Sequence, residues 1–474
     1  MAMNKTSILA NNILTTEGWL SDQLLTIEDG IITSISTLNS SPDSVEQQSP
    51  TNDLKTKIPA DCKVNYLIPG MPNMHSHGFQ WALSGLAENY SRADDSFWSW
   101  RQLMYKFLQI LQPEDLEIIA QALYVDMLKS GYTSVGEFHY LHNDCSGSPF
   151  QQKELLSITM IEAALKVGIS ICHLPVLYQY AGFNKQLLEK NQQRFFLSNN
   201  NFITVVENLR QQYQHHSMVN IGFAPHSLRA VDIENLVEIE QLLATDKPVH
   251  IHISEQKLEV DSCITHFKKR PVELLYEKLD IDHKWSLIHA THTDENEIRL
   301  MANSDATVGL CITTEANLGD GFFNMDSFSK SNGSWGIGSD SHISIDAVEE
   351  LRWLEYGQRL QLKQRACYAS ENKKNTSQNL YLDAVKGGAK SLGFKQGDIA
   401  VGEKADFVSL TVPYCYQELT PEQILSKWIF SKRENWIESV MVSGCWVVKN
   451  KQHILDDFLR ENYAKILNKI LSNC

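Results

Sequence analysis

Residues 69–80 read PGMPNMHSHGFQ, an apolar run that ends in two histidines, His75 and His77, on either side of one serine. In an extended strand, residues two apart point to the same face. Two imidazoles placed that way can chelate one divalent metal. An HxH pair also occurs as ordinary polar packing, so its weight depends on what the rest of the chain supplies. HIHISEQ offers His250 and His252 on one face, with His252 nearer the end of the run and Glu255 after it. LIHATH offers His289, and GIGSDSH offers Asp340. Imidazoles with one carboxylate suit zinc or ferrous iron, with a position left for water. The run VNIGFAPHS has no lysine whose carbamate might bridge two ions, so one metal per chain is expected. His250 reads as a group behind the ligands, and His215 and His216, in a polar stretch, as solvated.

These residues sit at the ends of apolar runs, and the runs set the architecture. There are eight: NYLIPGMPNMHSH, TSVGEFHY, GISICHLPVLY, VNIGFAPHS, PVHIHISE, WSLIHATH, TVGLCITT and WGIGSDSH. Amphipathic stretches between them predict helices over 114–130, 152–167, 232–244, 271–279 and 294–303, with longer insertions at 91–112 and 182–214. Alternating strand and helix predicts an α/β fold, either a (β/α)8 TIM-like barrel or a doubly wound open sheet. The barrel is the better reading, because it gathers all the strand ends on one face, and nearly every run here ends in a chemically capable residue. Outside the rhythm, residues 4–36 alternate as short strands around the turn in LTIEDGIITSIS, and 38–58 is a polar, breaker-rich loop. QGDIAVGEKADFVSLTV and WIESVMVSGCWVVKN have the same strand character. The two chain ends are therefore expected to join as a small composite β-sandwich. The division is 1–66 for its first part, 67–395 for the barrel, and 396–474 for its second part with a C-terminal helix.

Composition narrows the partners. The chain has 474 residues, 43% of them hydrophobic, and a formal net charge of −15. No apolar run approaches the ~20 residues of a membrane span. The first residues show no secretory signal pattern. Nine cysteines are scattered without a CxxC pair, which predicts reduced thiols and a cytoplasmic protein. An acidic balance without a basic stripe argues against nucleic acid. An anionic substrate would then need local arginines.

The set HxH, His, His, Asp at these strand ends, with GEKADFV in the terminal module, resembles the amidohydrolase superfamily over nearly the whole chain. Within it, PGMPNMHSHGFQ, SFWSWRQLMY, GEFHYLHND, FAPHSLRAV, HIHISEQ, HATH, TTEANLGDG and GIGSDSH resemble the formimidoylglutamate deiminase family. That family hydrolyses N-formimino-L-glutamate to N-formyl-L-glutamate and ammonia in histidine degradation. The resemblance implies His75, His77, His252 and Asp340 as ligands of one divalent metal, zinc or else iron. It implies catalytic roles for Glu255, as proton shuttle, and for His289 and Asp340, with a metal-activated water as nucleophile. It places Gln80, Arg101, Tyr140, His226 and Arg229 at the substrate, and it implies a homodimer. Guanidinium forks suit carboxylates, so Arg101 and Arg229 fit a dicarboxylate. The aromatic-rich segment 88–107 reads either as a lid that excludes water or as an aromatic stripe packed against the barrel. Three positions depart from the family pattern: alanine is expected at Gly78, arginine at Trp81 and proline at Ile312. Two other readings remain: a related deaminase of a purine, pterin or triazine, and a non-catalytic barrel serving as a scaffold.

Overall fold

The run NYLIPGMPNMHSH forms two strands, and the break falls at Gly70. The computed structural model describes residues 5–37, 61–86, 104–243, 245–431 and 434–472. Before the break, Cys62–Pro69 lies between the two chain ends, parallel to Lys5–Thr15 and antiparallel to Phe407–Leu410. After it, Met71–Ser76 is the first barrel strand. Gly70 permits the handover because a Cβ there would come within 2.2 Å of the Thr133 side chain.

The terminal segments form one eight-stranded sheet. Its order runs Gln452–His453, Cys445–Lys449, Ile437–Val442, Phe407–Leu410, Cys62–Pro69, Lys5–Thr15, Gly18–Glu28 and Ile31–Thr37. The sheet has a small apolar cluster of its own, including Ile8, Ile27, Leu67, Phe407 and Met441. The turn in LTIEDGIITSIS falls at Asp29 and Gly30, both in the left-handed region with φ of 49° and 83°. Such a turn matches the twist of a two-residue hairpin.

The remaining strands make the barrel. Met71–Ser76, Tyr132–His139, Ser170–Leu177 and Val219–Ile221 form one parallel set. Val249–Ile253, Trp285–His289, Thr307–Leu310 and Ser334–Ile337 form the other. Parallel bridges from Phe223 to Val249 and from Ser76 to Asp340 join the two sets into a closed (β/α)8 barrel. Helices follow the strands, among them Pro113–Lys129, Leu155–Val167, Ile233–Leu242, Pro271–Lys278 and Glu295–Asn303, within a few residues of the predicted spans. Pro113–Lys129 illustrates why: proline opens the helix, Asp115 completes a capping box with Gln112, and Lys129 sits in the last turn. The insertion at 182–214 carries the helix Asn199–Tyr213. Residues 91–103 of the other insertion, and most of the segment 88–107, lie outside the described residues. Among the described residues no helix is long and apolar enough to cross a membrane.

Candidate metal and catalytic site

The ends of the first, fifth, sixth and eighth barrel strands converge. His75 and His77 project from the end of Met71–Ser76 with their Nε2 atoms 3.2 Å apart. His252 Nε2 lies 3.0 Å from His75 Nε2. Asp340 Oδ1 lies 3.4 Å from His75 Nε2 and 3.2 Å from His77 Nε2. The other ring nitrogens fix the tautomers. His77 Nδ1–H donates to the Phe138 carbonyl at 2.9 Å, and His252 Nδ1–H to the His226 carbonyl at 3.0 Å. Their Nε2 atoms therefore carry lone pairs, that of His252 facing His75 and that of His77 facing the Asp340 carboxylate. Lone pairs this close repel unless a cation lies among them. A tetrahedral zinc site with bonds of ~2.0–2.1 Å has ligand atoms about 3.3–3.4 Å apart, so these residues fit a metal.

Burial keeps the imidazoles of His75 and His252 in the ligating form. It pushes His75 down to about 3 against the pull of Asp340. His252 is held well below its ordinary value by burial and by its histidine neighbours. Asp340, buried beside the same rings, completes the donor set with a carboxylate. His75, His252, His289 and Asp340 also offer ligand atoms all within 4.8 Å of one another. His77 and His289 thus compete for one place. His77 has the shorter contacts. His289 donates Nδ1–H to Glu315 at 3.2 Å and turns Nε2 toward Glu255, 3.9 Å away.

Glu255 reaches the cavity through a backbone reversal. The strand Val249–Ile253 ends one residue before Ser254, whose φ is 52°. That left-handed residue breaks the strand alternation, so Glu255 joins His252 instead of pointing to the opposite face. The corner is held by Glu259, whose carboxylate accepts the N–H groups of Ser254 and Glu255 at 3.3 and 3.2 Å. The following helix begins only at Lys257, and Glu255 is 6% exposed, so it is not a solvated helix-start residue. His289, Ala290 and Asp340 are also left-handed, with φ of 70°, 52° and 45°. Non-glycine residues adopt this region at a cost, and such strain clusters at functional sites.

One cavity gathers these groups. His77, Gln80, Tyr140, His226, Arg229, His252, Glu255, His289 and Asp340 line it, with Met104, Leu318 and Ser341. Gln80 Nε2 donates to the Tyr140 hydroxyl at 2.8 Å. Arg229 lies 4.0 Å from Glu255 and 3.8 Å from Glu259. Arg101 lies outside the described residues. His250 Nε2 sits 3.1 Å from the Ser391 carbonyl, away from the converging ligands, and His215 and His216 are exposed.

The sequence reading assigned no role to several acids near the site. Glu315 orients His289 and accepts the Cys311 N–H. Asp320, which accepts from the Gln256 side chain, is pushed up to about 8 by burial and then by Glu255. Glu137 is raised to about 7 by burial, against the donors that point at it. Each lies in a quoted stretch (TTEANLGDG, GEFHYLHND), so the signal was present without a geometry to interpret it. The three departures also gain a setting. Trp81 leaves the cavity and stacks on Tyr463 of the C-terminal helix Asp456–Leu471, with ring centroids 4.6 Å apart. Ile312 opens the helix Ile312–Leu318, a place where proline is equally at home. At Gly78 a Cβ would lie 2.7 Å from the end of Met160.

A model of the amidohydrolase family matches residues 66–447. The chain is 42% identical over 409 residues to a formimidoylglutamate deiminase of Pseudomonas aeruginosa, covering 85% of this chain and 89% of that protein. Among solved structures, an amidohydrolase from Brucella melitensis superposes with a TM-score of 0.90 at 39% identity, over 98% of this chain and 100% of that one. An adenosine deaminase from Xanthomonas campestris with bound zinc superposes at 0.80 with 20% identity, over 98% of each chain, and speaks to the fold alone. With a family match across the barrel and a His–Asp group suited to a metal, the chain belongs to the amidohydrolase family, the metal-dependent hydrolases of C–N bonds.

Proposed function

We propose that this enzyme hydrolyses N-formimino-L-glutamate to N-formyl-L-glutamate and ammonia, as the name of its Pseudomonas aeruginosa relative implies. The observation that carries the reading is the cavity itself. It brings Arg229 and the hydrogen-bonding groups Gln80, Tyr140 and His226 together with Glu255, His289 and the His–Asp cluster. Among the described residues its lining includes one large aromatic side chain, Tyr140, where a purine, pterin or triazine deaminase would need surfaces to stack on.

His75, His77, His252 and Asp340 would hold one divalent ion, zinc by the donor set. When bound, that ion supplies Lewis acidity and lowers the pKa of a water toward ~7. Arg229 pairs a substrate carboxylate, and Arg101 is assigned the second. Tyr140, Gln80 and His226 orient the chain of the substrate. Glu255 collects the proton of the attacking water and delivers it to the terminal imino nitrogen. His289, fixed by Glu315, hydrogen-bonds the oxygen that adds to the formimino carbon. The C–N bond to the terminal nitrogen then breaks, so that water and HN=CH–NH–R become O=CH–NH–R and ammonia. The protein works as a cytoplasmic homodimer, with the chain divided at 66/67 and 395/396. The test is mass spectrometry of the product from formiminoglutamate. Formylglutamate with one ammonia supports the proposal; glutamate with formamide, or turnover of an aromatic amine instead, refutes it.

A further inference from the structure

Behind the ligands, on the side facing away from the cavity, runs a buried chain of polar groups that the reaction does not use. Ser76 separates the two histidines and, by strand alternation, points opposite to them. Its hydroxyl donates to Glu137 Oε2 at 2.7 Å. The next residue after the pair, Gly78, donates its N–H to the other oxygen, Oε1, at 2.8 Å. Tyr124, from the helix Pro113–Lys129, donates its hydroxyl to Oε2 at 3.1 Å. One fully buried carboxylate on the second strand thus binds both Ser76 and Gly78, the residues that bracket His77. The chain continues to the eighth strand. Ser76 Oγ is 3.3 Å from His342 Nε2, and His342 Nδ1 is 2.8 Å from Ser339 Oγ. Asn73 donates to Ser339 Oγ at 2.6 Å and accepts the Ser339 N–H at 3.1 Å. Strands one, two and eight are therefore tied together beneath His75, His77 and Asp340, at the seam where the barrel closes.

We propose that Glu137 is a positioning residue for the metal site: by holding Ser76 and Gly78 it sets the backbone from which His77 reaches the ion, before the ion binds. This deepens the metal-dependent reading and rests on it. The physical reason is that the His77 Nε2 lone pair and the Asp340 carboxylate, 3.2 Å apart with no proton between them, push each other apart in the metal-free protein. Something outside the cluster must resist that push, and a carboxylate accepting three hydrogen bonds, two from the end of the first strand and one from a helix, can.

Full-length protein carrying Glu137→Ala, Glu137→Gln or Ser76→Ala tests this. Zinc affinity is measured by competition with a fluorescent chelator, folding by circular dichroism, and kcat with formiminoglutamate at saturating zinc. Glu137→Ala should weaken zinc binding about 10–100-fold, the usual cost of losing a group that orients a ligand, while remaining folded. Glu137→Gln keeps an acceptor for Gly78 and faces two hydroxyls that can rotate, so it should recover most of the affinity. Saturating zinc should restore much of the kcat of the alanine variant. A folded Glu137→Ala protein with wild-type zinc affinity overturns the proposal. If that variant does not fold, Ser76→Ala decides, and wild-type affinity there overturns it equally. Wild-type protein that binds zinc but leaves formiminoglutamate intact would sink the substrate reading and leave the affinity series standing.

Discussion

Replacing Glu255 with glutamine removes one charge from the cavity and almost no volume. The carboxylate lies 4.0 Å from Arg229 and 3.9 Å from His289, too far for direct hydrogen bonds to either. At an effective dielectric of ~20, a unit pair at that distance attracts by about 4 kcal/mol. Repulsion opposes it, since Glu255 helps raise both Glu259 and Asp320, after the larger effect of burial. With the two acting in opposite directions, the glutamine variant should melt close to the wild-type temperature. Sites held for chemistry often gain stability when the chemistry is removed. Turnover behaves differently. With Glu255 as the proposed proton shuttle, its loss should lower kcat by about 10²–10⁴, or about 2.7–5.4 kcal/mol of barrier. Metal content should stay the same, because Glu255 is not among the ligands. The assay is ammonia release from formiminoglutamate, with elemental analysis and a thermal melt on the same preparation. Turnover within a few-fold of wild type refutes the shuttle role. Loss of the metal refutes it as well, because it would make Glu255 a ligand or its support.

Three further expectations follow from the same geometry. Protein purified without added metal should hold about one zinc or iron per chain, and His75→Ala should lose both metal and turnover; two tightly held ions per chain contradict the single site. Arg229→Met should raise KM and lower kcat/KM by roughly 2–5 kcal/mol, as truncating one side of a buried charge pair does; equal effects on formiminoglutamate and a neutral formamidine would make the arginine structural. Acid should destabilise the fold through His139, His142 and His173, which burial holds well below normal, at about 4 for His142 and about 3 for His173. Below pH ~6.5 the unfolded chain binds protons that the folded chain refuses, so each such histidine removes about 1.4 kcal/mol per pH unit until its folded pKa is reached. Denaturant melts from pH 7 to 5 should therefore show a shallower loss in His173→Gln than in wild type, and equal slopes would refute the assignment.

Much of this protein was legible in one dimension because its signals are local. A histidine two residues from another shares its face in any strand, and a short apolar run ending in a polar group marks a strand end wherever it packs. That was enough to identify His75, His77, His252, His289 and Asp340 as a set, and to prefer a barrel over an open sheet. The break at Gly70 was not legible, because it depends on Thr133 crossing behind it. Trp81 directly follows Gln80 in the sequence, yet it turns away from the cavity, and Tyr463, nearly four hundred residues later, offers it a ring to stack on.

The same division separates His252 from Glu255. For His252, strand period fixes the direction of the side chain. For Glu255, the period gives the wrong face, and only the left-handed Ser254, held by Glu259, reverses it. Glu137 and Glu315 are further cases. An acid in a sequence names a charge but not its partner, and these two find theirs on other strands, 61 residues away for Ser76 and 26 for His289. The sequence determined which atoms are able to bind a metal and move a proton. The closed barrel decided which of them meet, because a side chain's direction beyond the end of a strand is set by hydrogen bonds to distant residues and not by its neighbours in the chain.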